Sequence, residues 1–454
     1  METKQFVQEI YSYINANKTL LLEDWFELIR HPSISATGEG VEECCCWLMK
    51  KMTDMGIDVT RYPLEPYPVL VGRYGNDADK KTVLIYAHYD VKPAGERNLW
   101  NSDPFEPTVR EGKVYARGSA DNKSPLMAHL KALQFYQSQN RELPVNLIFI
   151  FEGCEEEGSK GLPEFLHAHK EELKADIVFF SDGPKDPGGL PIIALGAKGN
   201  LNIKIRIRTM NKDVHSRYAP VLPSAAWQLV ELLGKLKSGD RVLVPGFYDG
   251  IIPAKDKEMK IINSLPESEE RLNKIYSAES SGYGAGFYKR LLSMPSFNIC
   301  QIQCGANGVV PGTAEAALDI RTVAGQDAMD LYEKVKTYVA ELGYKQAEVS
   351  LEGILKGSKT DIETPYLNVI EQAAKLVYGD YIVYPCRPSS APDYLWTEVL
   401  GLPAIQVRWS DADSDNHAPN EHLSINEYCD GIAMTVSAIN EIGKMGRENQ
   451  VESH

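Results

Sequence analysis

The sequence predicts an α/β fold in which a mostly parallel sheet is flanked by helices and carries an inserted α+β domain. The first observation behind this prediction is that short apolar runs alternate with helical patterns through the first part of the chain. Such alternation is typical of a parallel sheet whose crossover helices cover its faces. The second observation is a change of pattern near residue 198 and the return of the first pattern after about residue 360. Together they predict one domain that is split by another.

Three buried strands are predicted before the change of pattern, because short runs there are apolar and rich in β-branched or aromatic residues. They are Thr82–Ala87, Val145–Phe151 and Asp176–Phe180. A helix is predicted between the first two. Ser124 is its expected N-cap, Pro125 fits its first position, and an apolar stripe of leucines begins at Leu126.

The inserted segment begins with Leu201–Arg208, where apolar and polar residues alternate strictly. A strand of this kind has one exposed face, as in an antiparallel sheet. Further predicted helices and strands of this segment are Ala225–Leu236, Ala314–Arg321, Asp327–Leu342 and Glu348–Leu355. After it come a helix, a strand and a closing helix at Pro365–Tyr378, Pro403–Val407 and Ile425–Ile442. We therefore predict an outer domain over residues 1–197 and 358–454 and an inserted domain over residues 198–357.

Composition and charge exclude several classes of protein. The 454 residues include 48 lysines and arginines against 63 aspartates and glutamates, a net charge of −15 that disfavours binding to nucleic acid phosphates. No apolar run approaches the roughly 20 residues that span a bilayer, and the N-terminus lacks a signal-peptide pattern. The eight cysteines form no Cys-x-x-Cys pair and no disulfide framework. We expect a cytoplasmic protein that binds neither nucleic acid nor membranes.

Acidic and imidazole residues follow four of the predicted strands at the point where each ends. The segments are His88–Asp90, Glu152–Ser159, Ser181–Gly183 and Asp415–His417, and a further acid, Asp121, precedes the predicted helix. Because open α/β sheets bind ligands at the carboxyl ends of their strands, we expect these groups to converge in one crevice. Histidines and carboxylates together are natural ligands for zinc or a related divalent ion.

Each segment taken alone also has an ordinary structural explanation. A single buried histidine such as His88 more often completes a core, and the acidic run Glu155–Glu157 more often forms a solvated turn. Asp182 before Gly-Pro fits the start of a turn. Composition does not choose a general base among the three consecutive glutamates. The recurrence of metal-ligand residue types at four strand ends favours a metal site.

Five segments, in order along the chain, closely resemble the di-zinc exopeptidase and deacylase family. They are Val83–Pro93, Trp100–Phe105, Gly118–Lys123, Glu152–Ser159 and His417–Glu421. That family includes aminoacylase, succinyl-diaminopimelate desuccinylase, glutamate carboxypeptidase and the carnosinase-like dipeptidases. The segment Val244–Asp249 is similar to one in the carnosinase-like branch. The resemblance implies a metal-binding catalytic outer domain and an inserted domain that acts as a lid and in dimerisation.

The resemblance also implies two divalent ions per chain. Zinc is the leading expectation, and manganese and cobalt are the alternatives. One ion would be bound by His88 and Asp182 and the other by Glu156 and His417, with Asp121 bridging both. A bridging carboxylate suits two ions about 3.5–4 Å apart.

Further roles follow from the same resemblance. Glu155 matches the general base, and Asp90 matches the acid that orients His88, since alternate residues of a strand point the same way. His215 and Arg321 match residues of the inserted domain that stabilise the oxyanion and bind the substrate carboxylate. Asn307, Arg387 and Ser389 are weaker candidates for substrate contacts.

The implied activity is hydrolysis of an amide bond in a small substrate with a free carboxylate, by a homodimer. A dipeptidase is the leading form, an N-acyl-amino-acid deacylase is the alternative, and a non-catalytic binding protein is a more distant rival. Departures from the family pattern leave the substrate open. Arg217 and Arg387 in particular would add cationic groups near the expected mouth of the pocket.

Overall fold

The computed structural model describes residues 2–266, 270, 273–274, 277 and 286–451. Its strands are β1 (Asp58–Tyr62), β2 (Val69–Tyr74), β3 (Thr82–His88), β4 (Thr108–Arg110), β5 (Lys113–Tyr115), β6 (Asn146–Glu152), β7 (Ile177–Phe180), β8 (Ile192–Ala194), β9 (Gly196–Arg208), β10 (Val214–His215), β11 (Lys237–Ser238), β12 (Arg241–Val242), β13 (Ser296–Cys304), β14 (Val309–Val310), β15 (Thr313–Thr322), β16 (Glu348–Leu355), β17 (Ser358–Lys359), β18 (Ile382–Tyr384), β19 (Arg387–Ser390), β20 (Ala404–Arg408) and β21 (His422–Ser424). Its α-helices are α1 (Glu2–Arg30), α2 (Val41–Asp54), α3 (Lys123–Ser138), α4 (Leu162–Ala168), α5 (Ala225–Leu236), α6 (Asp256–Ser264), α7 (Phe287–Ser293), α8 (Ala328–Glu341), α9 (Pro365–Tyr378) and α10 (Ile425–Val451).

The chain divides into two compact units. The first contains the residues up to Leu195, Thr360–Tyr384 and the residues from Leu395 onward, and the second contains Gly196–Lys359 and Pro385–Tyr394. The sequence assigns Pro385–Tyr394 to the outer domain, whereas the structure places this segment in the second unit. The physical reason is strand pairing: β19 pairs in parallel with β9, with Arg387 opposite Ala197.

The first unit is built on an eight-stranded mixed sheet in the order β1-β2-β6-β3-β7-β20-β8-β18. Its four adjacent strands β6, β3, β7 and β20 are parallel, and they include the strands predicted from the apolar runs. Strands β2 and β8 pair antiparallel on either side of this group. Because β6 and β7 are buried throughout, each contains a continuous apolar run rather than an alternating pattern. The predicted α/β class is confirmed.

The helix after the Asp121 loop begins earlier than the sequence predicts. Helix α3 starts at Lys123, and its first α-helical hydrogen bond runs from the N–H of Leu126 to the carbonyl of Asn122 at 3.0 Å. Ser124 therefore lies inside the first turn and is not the N-cap. Pro125 fits the third position equally well, since the first N–H groups of a helix have no helical partner and a proline loses nothing there.

The second unit is built on an antiparallel sheet in the order β13-β15-β9-β16. The alternation predicted for Leu201–Arg208 is confirmed, because its apolar residues are buried and its polar residues are not. The buried side chains pack against helices α5 and α8 in one core. Strand β13 lies at the edge of the sheet, and all of its residues except Phe297 are exposed.

No described helix combines the length and the apolar composition that a membrane crossing needs.

Candidate metal centre

His88 is the last residue of β3, and its side chain is buried. Its Nδ1 lies 3.0 Å from the carbonyl oxygen of Asp90. Since a carbonyl only accepts, Nδ1 carries the hydrogen and Nε2 is left as an acceptor. That Nε2 lies 3.2 Å from the carboxylate oxygen Oδ1 of Asp121 and makes no hydrogen bond. In a neutral ring two acceptors would face each other here, so this contact needs a proton on Nε2 or a cation in its place. Burial opposes that proton, but Asp121 and Asp90 outweigh burial and raise the pKa of His88.

The orientation of His88 by Asp90 was predicted, but the structure gives it a different geometry. The strand ends at His88, so the alternation of side chains along a strand does not extend to Asp90. The main-chain carbonyl of Asp90 lies closer to His88 Nδ1 than its side chain does. The carboxylate oxygen Oδ1 of Asp90 is 3.4 Å from the same nitrogen.

The carboxylate of Asp121 lies between two histidines. Its Oδ1 faces His88 as described, and its Oδ2 lies 3.1 Å from Nε2 of His417. The side-chain amide of Asn416 donates to the same Oδ2 at 3.3 Å. One carboxylate thus offers one oxygen to each histidine, as a bridging ligand between two ions does.

Two groups of metal-ligand side chains share this carboxylate. His88, Asp121 and Asp182 form the first, and Asp121, Glu156 and His417 form the second. In each group the ligand atoms all lie within 4.8 Å of one another. Tetrahedral zinc with bonds of about 2.0–2.1 Å holds its ligand atoms about 3.3 Å apart, which is close to the observed nitrogen–oxygen separations. The residues present therefore fit two divalent ions.

Glu155 and Glu156 lie on one short helical turn, Glu155–Glu157, which begins two residues after the end of β6. The carboxylate of Asp90 accepts the backbone N–H of both residues at 3.1 Å, Oδ1 from Glu155 and Oδ2 from Glu156. Consecutive residues on such a turn point in different directions. Glu156 accordingly faces His417 at 3.1 Å, whereas Glu155 reaches within 4.0 Å of His88 Nε2 and belongs to neither ligand group.

The electrostatics of the cluster favour positive charge. Burial disfavours ionisation of Asp121, but its contacts with His417 and His88 outweigh burial and hold the pKa of its carboxyl well below the usual range. The contact with Asp121, followed by that with Glu156, raises the pKa of His417 to about 10. Carboxylates that stabilise protonated imidazoles to this extent also stabilise a cation in place of the protons.

Glu155 differs from the other carboxylates in its electrostatic surroundings. Loss of solvent is the largest cause, and it raises the pKa of Glu155 well above the usual value of a glutamate. The imidazole of His88 opposes this rise, whereas the nearby negative charges of Asp182, Glu156 and Asp121 add to it. A carboxyl with a raised pKa next to a metal site has the property that a proton acceptor needs near neutral pH.

The loop that carries His417 has an unusual backbone. Asp415, His417 and Asn420 have φ angles of 54°, 63° and 66°, in the left-handed region that residues other than glycine seldom adopt. A hydrogen bond within the loop closes it into a turn: the N–H of Ala418 donates to the carbonyl of Asp415 at 2.9 Å. Side-chain ligands in such loops carry no periodic sequence pattern, so the position after a predicted strand indicated the segment and the family resemblance assigned His417 as a ligand.

The sequence gives no role to Glu421 or Arg117, although Glu421 ends one segment of the family resemblance and Arg117 directly precedes another. They form a buried ion pair, with Arg117 Nη1 2.6 Å from Glu421 Oε2. The backbone N–H of Asp121 also donates to Glu421 at 3.0 Å. The sequence signal that could have identified them is a pair of opposite charges in or next to two predicted metal-binding segments, since such residues are buried only when paired.

The remaining predicted residues lie in the second unit. His215 is exposed at the end of β10, and its Nδ1 accepts the backbone N–H of Arg217 at 3.1 Å. Its Nε2 therefore carries the hydrogen. Asn307 is exposed in the turn between β13 and β14, two residues before Val309, which pairs with His215 across the β10–β14 ladder. The structure thus brings His215 and Asn307 to one corner of this unit.

Arg321 and the β19 segment are also adjacent in the second unit. The guanidinium of Arg321 donates to both carboxylate oxygens of Asp319 at 2.9 and 3.1 Å, and to the hydroxyl of Ser390 at 2.8 Å. The serine that contacts Arg321 is thus Ser390, whereas the predicted Ser389 is exposed beside it.

Arg387 is not the exposed cation that the sequence suggests. Its side chain is 2% exposed, and its Nη2 lies 2.6 Å from the carboxylate of Asp393. The pairing of β19 with β9 draws Arg387 into the unit, and the aspartate neutralises its charge there. Arg217 keeps an exposed position and donates to the hydroxyl of Tyr218 at 2.9 Å.

Known proteins are similar to this chain in sequence and in fold. A Cys-Gly metallodipeptidase DUG1 of Candida albicans is 29% identical over 397 residues, which cover 83% of this chain and 82% of the relative. A Beta-Ala-His dipeptidase of Homo sapiens is 26% identical over 395 residues, which cover 83% and 78%. The crystal structure of an M20 family metallo-carboxypeptidase, Sso-CP2 from Sulfolobus solfataricus, has a TM-score of 0.85 and 31% identity, and the match covers 93% of this chain and 99% of that one.

The family profile described as peptidase family M20/M25/M40 matches residues 84–441, which is most of the chain. The matched range begins in β3 and ends in α10, so it contains every residue of the two ligand groups. The resemblance recognised in the sequence is confirmed, and this chain belongs to peptidase family M20/M25/M40.

Proposed function

We propose that this protein is a two-metal dipeptidase that hydrolyses the amide bond of small peptides with a free carboxylate. The observation that carries the proposal is the position of the Asp121 carboxylate, with one oxygen 3.2 Å from His88 Nε2 and the other 3.1 Å from His417 Nε2. A carboxylate shared in this way between two ligand groups is the arrangement of dinuclear hydrolases.

His88 and Asp182 would hold one ion and Glu156 and His417 the other, with Asp121 bridging them. The mixture of two imidazoles with carboxylates suits zinc, and manganese and cobalt accept the same ligands. Ions bound there would polarise the scissile carbonyl and lower the pKa of the attacking water toward neutrality.

Glu155 is the group that we assign to proton transfer. It lies beside the first ligand group without belonging to it, and its Oε2 is 4.0 Å from His88 Nε2. In this position it accepts the proton of the attacking water and then delivers that proton to the leaving amine.

His215 is assigned to stabilisation of the oxyanion. Its Nδ1 is occupied by the N–H of Arg217, so the neutral ring presents Nε2–H as a donor. A donor that is oriented before the reaction stabilises the negative charge that develops on the carbonyl oxygen. The histidine of this chain or that of a second copy would supply this group.

Arg321 is assigned to the carboxylate of the substrate. Asp319 and Ser390 hold its guanidinium in one orientation through three hydrogen bonds, which is the preorganisation that recognition of a planar carboxylate needs. Asn307 and Ser389 are exposed polar residues of the same unit and are proposed as further contacts. Since Arg387 is buried against Asp393, we assign it to the support of β19.

The names of the relatives point to dipeptides as substrates. Cys-Gly and β-alanyl-histidine are the substrates in the names of the two sequence relatives, whereas the similar solved structure is named a carboxypeptidase. We therefore propose dipeptides first. The alternative from the sequence is an N-acyl-amino-acid deacylase. It would use the same side chains to hydrolyse the amide bond of an acylated amino acid.

A substrate panel tests this proposal. Purified protein is assayed with Cys-Gly, β-alanyl-histidine, longer peptides and N-acetyl and N-succinyl amino acids, before and after removal of metal by a chelator and addition of Zn²⁺, Mn²⁺ or Co²⁺. We expect turnover of dipeptides that the chelator abolishes and one of the ions restores. Turnover of acylated amino acids alone would contradict the dipeptidase assignment, and activity that survives complete metal removal would contradict the two-metal mechanism.

We also propose that two copies associate through the second unit. The edge strand β13 exposes Ile299 and Ile302, and helix α5 exposes Trp227 to 69% and Val230 to 50%. Unpaired strand edges and large exposed apolar side chains are typical of surfaces that bind another chain. All eight cysteines are free thiols, and we propose a reducing compartment, the cytoplasm, as the place of action.

Light scattering after size-exclusion chromatography tests the association. The wild type is expected to have twice the mass of one chain, and the double variant I299K/I302K the mass of one chain, because two cations at the strand edge oppose pairing. A wild type that is monomeric at micromolar concentration would contradict this proposal.

A further inference from the structure

The carboxylate of Glu421 is fully buried and lies inside the loop that carries Asp121. Its Oε1 accepts the backbone N–H groups of Ala120 at 2.9 Å and Asp121 at 3.0 Å. Its Oε2 accepts the N–H of Gly118 at 3.0 Å and the guanidinium of Arg117 at 2.6 Å. All these donors belong to one short stretch of chain, so a single carboxylate organises the whole loop.

Arg117 extends this link to two other segments of the centre. Its Nη2 donates to the carbonyl of Pro93 at 3.3 Å and to that of Ala418 at 3.4 Å. Pro93 lies on the chain that leaves His88, and Ala418 directly follows His417. The side chain of Arg117 is 1% exposed, so these contacts form away from solvent.

We propose that Glu421 is a positioning residue of the metal centre: with Arg117, it holds Asp121 at the distance from His88 and His417 that two ions require. This inference rests on the proposed two-metal function. Asp121 faces both histidines with one carboxylate, so a small rotation of its backbone changes both distances at once. The N–H that Glu421 holds is that of Asp121 itself.

The chemistry of the surrounding donors explains why this position needs a carboxylate. Every group that contacts the two oxygens of Glu421 is an N–H donor, and an ionised carboxyl has only acceptors. A glutamine of almost the same shape would turn its NH₂ group toward one of these pairs of donors. E421Q therefore separates acceptor chemistry from side-chain volume.

The test measures metal binding as well as activity. Wild type and E421Q are freed of metal, titrated with Mn²⁺ and compared for ions bound per chain, for the spin-coupled EPR signal of a Mn²⁺ pair, and for the melting temperature without metal. We expect two coupled ions in the wild type. In E421Q we expect an affinity for the second ion at least tenfold lower, together with loss of the coupled signal.

A matched control separates positioning from general stability. Lys131 is a fully buried cation in α3 that pairs with Asp24 of α1, so K131M also breaks a buried ion pair of the first unit. K131M is expected to melt at a lower temperature than the wild type and still to bind two coupled Mn²⁺ ions. Should E421Q fail to fold, E421D provides the comparison, since it keeps the charge and retracts the carboxylate by one methylene.

The outcomes distinguish this inference from the function on which it rests. Two coupled ions bound with wild-type affinity in E421Q, or in E421D where E421Q does not fold, would overturn the inference alone. A wild type that binds fewer than two ions would contradict the proposed function and the inference together. Loss of coupling in K131M as well would show that any buried defect has this effect, and it too would overturn the inference.

Discussion

The carboxylate oxygen Oδ1 of Asp90 accepts a hydrogen bond from the backbone N–H of Glu155 at 3.1 Å. Its Oδ2 accepts the N–H of Glu156 at the same distance, and its main-chain carbonyl lies 3.0 Å from His88 Nδ1. One buried residue therefore orients an imidazole of the first ligand group, a carboxylate of the second, and the proposed general base. A substitution of its side chain acts on both glutamates and leaves the main-chain contact with His88 in place.

We expect D90N to lower metal affinity or turnover by about 10–100-fold, the usual effect of losing a hydrogen bond that orients a ligand. The NH₂ group of an asparagine cannot accept, so one backbone N–H of the glutamate turn would lose its partner. Elemental analysis after dialysis and steady-state kinetics measure the two effects.

D176N is the matched control for D90N. Asp176 accepts the backbone N–H of Thr82 at 2.8 Å, at the opposite end of strand β3 from His88. The control variant is expected to lose stability without any change in metal content. Equal metal loss in both variants would show that the effect of D90N is not specific to the centre.

The second prediction concerns Glu155. Because Glu155 is in neither ligand group, E155Q is expected to keep both ions and to lose turnover by about 10²–10⁴-fold, the contribution of a general base. E157Q is the control: Glu157 lies on the same turn and pairs with Lys92 at 3.6 Å, and its loss should leave turnover nearly unchanged. Near-normal turnover in E155Q would remove Glu155 from the mechanism.

Much of the fold could be predicted because apolar periodicity is a local property of the chain. Strand β16 and helices α5 and α9 have the predicted ends, since caps, alternation and amphipathic stripes mark them directly. The pairing of β19 with β9 could not be predicted. It joins positions far apart in the sequence, and the short segment Arg387–Ser390 has no alternating pattern.

The candidate site was predictable only in part, for a similar reason. Strand ends alone indicated the four segments that contain His88, Glu156, Asp182 and His417, because apolar strands such as β3 and β7 end at or before them. The choice of Glu155 over its neighbours depended on family resemblance, since the direction of each side chain is set by the turn that Asp90 holds. The role of Glu421 could not be predicted because three of its four hydrogen-bond donors are backbone N–H groups, which leave no trace in composition.

The third prediction concerns His215, whose Nδ1 accepts from Arg217 while Nε2–H remains available as a donor. H215A is expected to lower kcat by about 10²–10³-fold, as removal of one oxyanion donor does, with a smaller change in KM. H167A is the control, because His167 is an exposed histidine on α4 in the first unit. An unchanged kcat for H215A would exclude this residue from the reaction.

The fourth prediction concerns recognition of the substrate carboxylate by Arg321. A lysine keeps the charge but lacks the planar fork that Asp319 and Ser390 orient. R321K is therefore expected to raise KM for a dipeptide by about tenfold or more, and to change KM much less for the same dipeptide with an amidated C-terminus. Equal effects on both substrates would show that Arg321 does not bind the carboxylate.

The last prediction concerns stability rather than catalysis. His129 is fully buried on α3, where its Nδ1 lies 3.0 Å from the hydroxyl of Thr435 and its ring packs edge-on against Phe179. Burial lowers the pKa of His129 from 6.5 to about 3. The unfolded chain therefore binds a proton at this position between pH 6.5 and 3, and the folded chain does not.

Because the unfolded state binds more protons in this interval, His129 makes folding less favourable as the pH falls, by about 1.4 kcal/mol per unit and about 5 kcal/mol in total. Its effect on stability is absent above pH 6.5 and complete below pH 3. H129Q cannot take up that proton, so its urea midpoint should fall less steeply than that of the wild type between pH 7 and 4. The control variant H167Q changes an exposed histidine, and its urea midpoint should fall with pH as steeply as that of the wild type. Parallel curves for wild type and H129Q would show that His129 is protonated in the folded protein as readily as in the unfolded chain.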